Sequence, residues 1–388
     1  MKSFQERGAI FNRLGVKAII HGMGTTTRYG GTMMHPEVMQ SMVEASQCLV
    51  DMDELNRKAG AVIARATGAE AGMVCAGSAA GLLLQAAACM TGTDPAKIFR
   101  LPDTTGMKNE IVIHKAHRFH YDQAYRAAGA KLVEVGSPKV TQPWMLEETI
   151  TEKTAAIAYI IGPWFANEAT MMFGSYPALP LHQVVEIARR RGVPVIVDAA
   201  STLPPADNLQ KFTRQGADMI IYSGGKGLRG PQSTGVLCWK KHLIEAALAN
   251  ASPNNAIGRG AKVCKEEIIG LLTALELYLK RDHEADMRHW RAQAQLIVDT
   301  VAEVRGIRAV VEQHDVNRAV PEAVVYFGKE WKGPSGMEIV AALREGDPPI
   351  YISQGGYADE IWINPHNFVE GDATLVAERL RAALLRKG

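Results

Sequence analysis

Lys226 follows Ser223-Gly224-Gly225, directly after the apolar run Met219–Tyr222. Burying a charged amine is costly unless the amine is paired or neutralised. Condensing with a carbonyl compound to a Schiff base removes that cost by consuming the amine. A second apolar run, Val193–Val197, ends at Asp198. A carboxylate in such a place can keep a heterocyclic nitrogen protonated, which turns the ring into an electron sink. A third feature, Gly77-Ser78-Ala79, follows the short run Met73–Cys75 and opens a strongly helical stretch. Backbone N–H groups at a helix start, aided by the helix dipole, bind anions. Amine, carboxylate and anion site are what pyridoxal 5'-phosphate (PLP) asks of a protein. Each feature alone has a plainer account: Asp198 as a turn cap, Lys226 as a solvated loop lysine, the 77–79 turn as close helix–sheet packing. Their conjunction is harder to reach by chance.

Other residues with useful chemistry lie nearby in the pattern. His114, His117 and His120 recur at every third position. Imidazoles on a metal ion are one account, and a polar surface loop is another. A ring stacked flat on a planar cofactor is the third; His117, three residues past a strand end, is the first choice for it and His120 the second. Arg28, Arg259 and Lys262 lie in loops. The guanidinium fork suits carboxylates and phosphates, so Arg28 and Arg259 are candidates for substrate binding, with a solvated loop position as the alternative. No G-K-[ST] follows the 77–79 turn at the spacing of a nucleotide-binding phosphate loop, so that class is set aside.

These residues need elements to hold them. Strand-like runs at Met73–Cys75, Glu110–His114, Lys131–Val135, Ala155–Ile161, Val193–Val197 and Met219–Tyr222 alternate with helical stretches, among them Leu181–Arg191 with Gly192 as its cap. The alternation predicts an α/β architecture with a parallel, doubly wound sheet and helices on both faces. Such sheets bind ligands outside the carboxyl ends of their strands. His114, Asp198, Ser223 and the 77–79 turn all fall at those ends. Upstream, the pattern predicts a short helix, a strand at Val16–Ile20, a Gly/Thr-rich binding loop (HGMGTTTRYGGTMMHP) and helices over Pro36–Val50 and Met52–Thr67, with Asp51 as a cap. Downstream, NASPNNAIGR ends the large domain, and a helical pattern over 265–303 breaks near Asp282. Short strands (RAVVEQH, EAVVYFG, PIYISQ, EIWINP) and helices at Ser335–Arg344 and Ala373–Leu385 then predict a smaller α+β domain with an antiparallel sheet. The expected division is 1–50 as an N-terminal segment and active-site loop, 51–255 as the large PLP-binding domain, and 256–388 as a linking helix and small C-terminal domain.

Composition narrows the partners. At 388 residues the chain holds two domains and a large core. Its net charge of +2, without a Lys/Arg block, argues against nucleic acid and membrane surfaces. Five scattered cysteines, none in a C-x-x-C pair, argue for a reduced cytoplasm rather than a disulfide framework. The charged start MKSFQERG has no apolar core of a signal peptide.

The stretch DMIIYSGGKGLRGPQSTGVLCWKK resembles the PLP-lysine segment of the selenocysteine-synthase-like enzymes, which include bacterial L-seryl-tRNA selenium transferase and D-glucosaminate-6-phosphate ammonia lyase. SGGK-x-L-x-GPQ-x-x-G is the most specific motif. GTTTRYGG, AGSAAG, VDAASTLPP, IGRGAKVCKEEIIGLLTALE and REGDPPIY extend the resemblance over most of the chain. It implies the fold-type-I (aspartate aminotransferase) fold, with a mainly parallel seven-stranded sheet. It also implies Lys226 carrying PLP as a Schiff base, Asp198 at the pyridine nitrogen, and Gly77, Ser78, Ala79 and Ser223 near the phosphate; Ser201 and His117 are further candidates for the cofactor's surroundings. A homodimer or larger assembly with shared sites is implied as well. Two departures bear on the substrate. The first family-like motif starts near Ile19, leaving no room for the extra N-terminal tRNA domain, so tRNA is not expected. After D-P-P-I-Y the ammonia-lyase relatives carry an arginine where this chain has Ser353-Gln354-Gly355-Gly356, with Asn364-Pro365-His366 further on; His366 or Arg344 is the candidate for a different acid. The expected activity is PLP-dependent α,β-elimination from a small β-hydroxy or sugar amino acid, giving a 2-keto acid and ammonia. The alternatives are a racemase, aldolase or transferase, and a PLP-binding protein without turnover. The residues that choose among these are expected in the loops at 22–35, 164–175 and 344–367.

Overall fold

The computed structural model describes residues 4–137, 139–162, 176–313, 320–354 and 360–386. Its strands are β1 (Ile20–Gly22), β2 (Ala71–Cys75), β3 (Glu110–His114), β4 (Lys131–Val135), β5 (Thr154–Ile160), β6 (Val195–Asp198), β7 (Met219–Ser223), β8 (Gly235–Trp239), β9 (Ile307–Glu312), β10 (Glu322–Phe327), β11 (Ile350–Gln354) and β12 (Glu360–Ile363). The chain forms two compact units, one from Met33 to Arg281 and one from the residues up to Thr32 together with those from Asp282 onward. These limits differ from the segments expected from sequence. Helix Lys265–Lys280 packs on the helices Pro36–Ala45 and Met52–Thr67 and so belongs to the larger unit. The expected break at Asp282 is where the units divide: its side chain caps the next helix, His283–Val301, by accepting from the Ala285 N–H.

The larger unit is built on a seven-stranded sheet in the order β2-β8-β7-β6-β5-β3-β4. The β3–β4, β3–β5, β5–β6 and β6–β7 pairs are parallel, and β8 runs antiparallel to both β7 and β2. Strands covered on both faces read as continuous apolar runs. Val195 and Val197 of β6 enter one core and Ile196 the other, while Ile220 and Ile221 of β7 split the same way. That two-sided burial explains why these runs carry no polar alternation in the sequence.

Helix Gly77–Thr91 lies in one of these cores, with Leu82, Leu84, Ala86, Ala87, Ala88 and Met90 buried. Its small residues do pack closely: a Cβ on Gly81 would sit 2.4 Å from Ile221 Cδ1. Its one buried amide, Gln85, donates from Nε2 to the carbonyls of Val197 (3.2 Å) and Met219 (3.3 Å). A single side chain thus ties the helix that begins at Gly77 to both β6 and β7. Helix Met52–Thr67 has the expected cap, Asp51 accepting from the Glu54 N–H at 2.9 Å, a bond worth about 1 kcal/mol.

The smaller unit carries a five-stranded sheet, β1-β11-β12-β10-β9. Three of its pairs are antiparallel, as expected, but β1 pairs in parallel with β11, Ile20 opposite Ile350 and Gly22 opposite Ile352. The strand expected at Val16–Ile20 therefore begins only at its last residue, where pairing to the distant segment becomes available. Helices His283–Val301, Gly336–Arg344 and Asp372–Leu384 cover the face formed by Ala323, Val325, Ile350, Ile352, Ile361 and Ile363. Among the described residues no helix is long and apolar enough to cross a membrane, and all five cysteines are free.

Candidate active site

Parallel strands place their last residues on one edge of a sheet. Asp198 ends β6, paired with Ile160 on one side and Ile221 on the other. Ser223 ends β7, and Cys75, two residues before Gly77, ends β2; both pair with Gly235 of β8. The two sequence segments expected at the cofactor phosphate thus meet across one residue of the intervening strand. A Cβ on Gly235 would lie 2.9 Å from the carbonyl carbon of Gly77 and 3.0 Å from Cys75 Sγ. Gly235→Ala is therefore expected to displace the 77–79 turn and to lower stability by about 1–3 kcal/mol, read as a fall in the urea midpoint with an unchanged m-value.

Gly77 has φ +71°, left-handed backbone that favours glycine. It starts the helix, with Ser78 half-buried and Ala79 exposed. The first N–H groups of a helix lack intrahelical partners, so this turn presents donors at the sheet edge, beside Ser223. Ser201 is half-buried in the turn after β6, in which Thr202 Oγ1 donates to Ala199 O at 2.9 Å.

The Lys226 segment is a compact turn. Gly224 N–H donates to Thr234 O at 2.8 Å, Gly230 N–H to Gly224 O at 2.8 Å, and Arg229 N–H to Lys226 O at 2.9 Å. A Cβ on Gly225 would lie 2.4 Å from Gln232 Cα, and one on Gly227 2.3 Å from Leu203 O. The glycines are thus required by backbone approaching backbone, and Gly227 brings the lysine turn against the chain that leaves Asp198. Leu228 anchors the turn in the core, while Lys226 itself is half-buried. Asp198 is half-buried too. Burial pushes its carboxyl above the ordinary carboxylate range, against the pull of the Ala200 N–H (3.0 Å) and of the Lys226 charge. A carboxylate raised in this way is one that a bound cationic N–H would stabilise. Carboxylate, amine and helix-start donors together fit PLP.

The histidines separate. His120 is exposed, whereas His114 and His117 are fully buried. His117 Nδ1 accepts from the Ile160 N–H at 3.4 Å, and its ring stands edge-on to Tyr159 at 4.6 Å. It therefore lies at the end of β5, beside the strand of Asp198, but with no open ring face in this conformation. His114 Nε2 accepts from the Leu179 N–H at 3.3 Å, and burial, then the neighbouring His117, hold its pKa well below the usual value. Among the described residues no group of three His, Cys, Asp or Glu could hold a metal ion.

Arg259 is exposed and lines a cavity of about 470 Å³ in the larger unit, together with Lys262, Glu267, Cys75, Asn56 and Pro253. Neither Lys226 nor Asp198 lines it. Arg28 is exposed in a short 3-10 turn, Thr27–Tyr29, of the smaller unit. His366 is buried against Trp290, ring centroids 4.9 Å apart, and Arg344 lies over the Tyr351 ring at 5.2 Å. The loop expected at 164–175 lies outside the described residues, as do Gly355 and Gly356. Sequence reasoning missed Gln85 and Gly235. A polar residue inside an otherwise apolar helix was the available signal for Gln85; Gly235 is the last glycine of the SGGK-x-L-x-GPQ-x-x-G motif, which marked the position without giving its role.

The family described as SelA, L-seryl-tRNA selenium transferase, matches residues 19–306. D-glucosaminate-6-phosphate ammonia lyase of Salmonella typhimurium is 32% identical over 381 residues, 96% of this chain and 97% of that protein. The 5'-C-glycyluridine monooxygenase-decarboxylase of a Streptomyces species is 31% identical over 384 residues, 97% and 92% of the two chains. The solved structure of a D-glucosaminate-6-phosphate ammonia-lyase superposes with a TM-score of 0.83 at 31% identity, covering 97% of this chain and 98% of that one. More distant solved structures, at 14–16% identity, share the fold with TM-scores of 0.59–0.60. The fold is that of the fold-type-I PLP enzymes, and the chain belongs to the SelA family.

Proposed function

We propose that this protein is a cytoplasmic, PLP-dependent lyase that eliminates water from a small β-hydroxy or sugar amino acid, the resulting enamine then taking up water to give a 2-keto acid and ammonia. The observation that carries the cofactor assignment is the meeting of Asp198, the Lys226 turn and the Gly77 helix start on one sheet edge. Similarity to an ammonia lyase over almost the full length of both chains supports the reaction. Bound PLP supplies a sink for the electron pair left at the substrate Cα. Lys226 Nζ is the group that takes the Cα proton, and it does so as a neutral amine. The Asp198 carboxylate stays charged opposite the ring nitrogen. The N–H groups of the 77–79 turn, with Ser78, Ser201 and Ser223, hold the phosphate. Arg28 and Arg259 bind the acidic groups of the substrate, which is a small molecule rather than tRNA. The near-neutral net charge of the chain agrees with that.

The test is incubation of the holoenzyme with β-hydroxy amino acids and sugar amino acids, D-glucosaminate 6-phosphate among them, with keto acid and ammonia measured together. Racemisation without ammonia would replace the lyase reading by a racemase. Release of carbon dioxide with consumption of oxygen would favour a second reading, supported by the 31% identity to the monooxygenase-decarboxylase.

We also propose that Arg259, whose cavity is not lined by Lys226 or Asp198 of the same chain, completes the site of a second copy in a homo-oligomer. Lys226→Ala and Arg259→Ala are then each inactive alone. Mixed by refolding, they regain about a quarter of wild-type activity, because half of randomly mixed dimers hold one intact site. No recovery on mixing places Arg259 outside the shared site.

A further inference from the structure

We infer that Asn367 is a positioning residue that brackets the Arg28 loop and holds its arginine ready for an anion. The inference rests on the reading of Arg28 as a substrate-binding residue. All the parts lie in the smaller unit. Asn367 is buried, and its Nδ2 donates to Gly24 O at 2.6 Å and to Gly31 O at 3.0 Å. One amide group thus joins the two ends of the segment 24–31, with Arg28 in the intervening turn. The two ends need left-handed backbone: φ is +68° at Gly24, +91° at Gly30 and +71° at Gly31. Within the loop, Thr26 Oγ1 donates to Met23 O at 2.9 Å, while Gly30 N–H bonds Thr27 O and Gly31 N–H bonds Thr26 O.

The bracket is itself anchored. Asn367 ends the 3-10 turn Pro365–Asn367, capped by Asn364 Oδ1 accepting from the His366 N–H at 3.0 Å. Asn364 Nδ2 donates to the buried Glu322 of β10 at 2.6 Å, and the Asn364 N–H bonds Gly22 O of β1 at 2.9 Å. Packing of His366 on Trp290 closes the turn against helix His283–Val301. Asparagine suits the position because one NH2 group offers two hydrogens to two carbonyls. An aspartate would set a carboxylate against both carbonyl oxygens, and a serine keeps one hydrogen on a shorter arm. The anion is recognised by Arg28 as a phosphate or carboxylate group.

The experiment uses PLP-loaded full-length protein in wild-type, Asn367→Ala, Asn367→Ser, Arg28→Ala and Asn367→Ala/Arg28→Ala forms. Hydrogen exchange at residues 25–31 is expected to speed up at least tenfold in Asn367→Ala and less in Asn367→Ser, with β10 and β12 unchanged. Inorganic phosphate binding, followed by calorimetry, is expected to weaken about tenfold in Arg28→Ala and to a similar extent in Asn367→Ala. The double variant should bind no more weakly than either single one, since residues acting as a unit are not additive. Unchanged exchange in both Asn367 variants overturns the bracket. Faster exchange with phosphate binding that is absent in wild type, or insensitive to Arg28→Ala, removes Arg28 from the substrate site and overturns the functional half alone.

Discussion

Lys226→Ala is expected to lower kcat by about three orders of magnitude or more while leaving the fold intact. A positioned general base contributes roughly 10²–10⁴-fold, and in the proposed function this lysine also anchors the cofactor. The substitution removes a half-buried amine from a turn shaped by its glycines and by backbone bonds. Thermal unfolding of the cofactor-free variant should stay cooperative, with a Tm at neutral pH somewhat below that of cofactor-free wild type because the buried Asp198 carboxylate loses the Lys226 charge. Purified wild type should be yellow, and borohydride should fix the pyridoxyl group to the peptide containing Lys226. The variant should bind PLP reversibly and yield no such adduct. A Lys226→Ala protein that turns substrate over at more than about a hundredth of the wild-type rate would overturn the assignment.

Asp198→Asn should change activity and stability in opposite directions. The amide keeps the size of the side chain but cannot hold a ring nitrogen protonated by charge, so kcat is expected to fall about 10²–10³-fold with PLP still bound. The stability effect follows from the direction of the Asp198 pKa, which burial raises in the folded protein. A carboxyl with a raised folded pKa contributes stability that is fully present below the unfolded value and lost as pH rises through the folded one. At pH 7 the cofactor-free wild type has therefore lost that contribution, and the neutral amide avoids it. Cofactor-free Asp198→Asn should have a Tm at pH 7 equal to or above wild type, and the gap should close as pH falls below the ordinary carboxylate range. A marked fall in Tm at neutral pH would mean that the attraction between the Asp198 carboxylate and the Lys226 charge outweighs the cost of burying that carboxylate.

The elements of the larger unit were readable in the sequence because their signals are local. Two-sided burial produces uninterrupted apolar runs such as those of β6 and β7, and Gly192 ends helix Leu181–Arg191 where expected, in left-handed backbone (φ +64°). Asp198 and Lys226 stood out because charged groups at the ends of such runs conflict with their surroundings. Helices Pro95–Arg100 and Pro143–Thr149 escaped notice although each starts with proline at its first position, a start signal that short length obscured. What the sequence concealed was long-range. Nothing near Ile20 says that it pairs with Ile350, nothing near Gly235 says that the 77–79 turn presses on it, and nothing near Asn367 names Gly24 and Gly31. His117 shows the same limit: its place at the end of β5 follows from strand order, but its edge-on contact with Tyr159 depends on packing.

The pairing of β1 with β11 has a consequence for biosynthesis. Ile20 leaves the ribosome early, whereas its partner Ile350 is made near the end. At about 5–20 residues per second, the first strand waits on the order of tens of seconds with an unfilled edge. The larger unit, continuous in sequence from Met33 to Arg281, is meanwhile complete and free to fold. The nascent chain thus passes through a stage in which the core carrying Asp198 and Lys226 exists without the finished small sheet and without Asn367 to bracket the Arg28 loop. Chaperones that recognise short apolar segments would find their target in the waiting N-terminal residues, and a premature stop before Asn367 would leave the larger unit with an Arg28 loop that is never fastened.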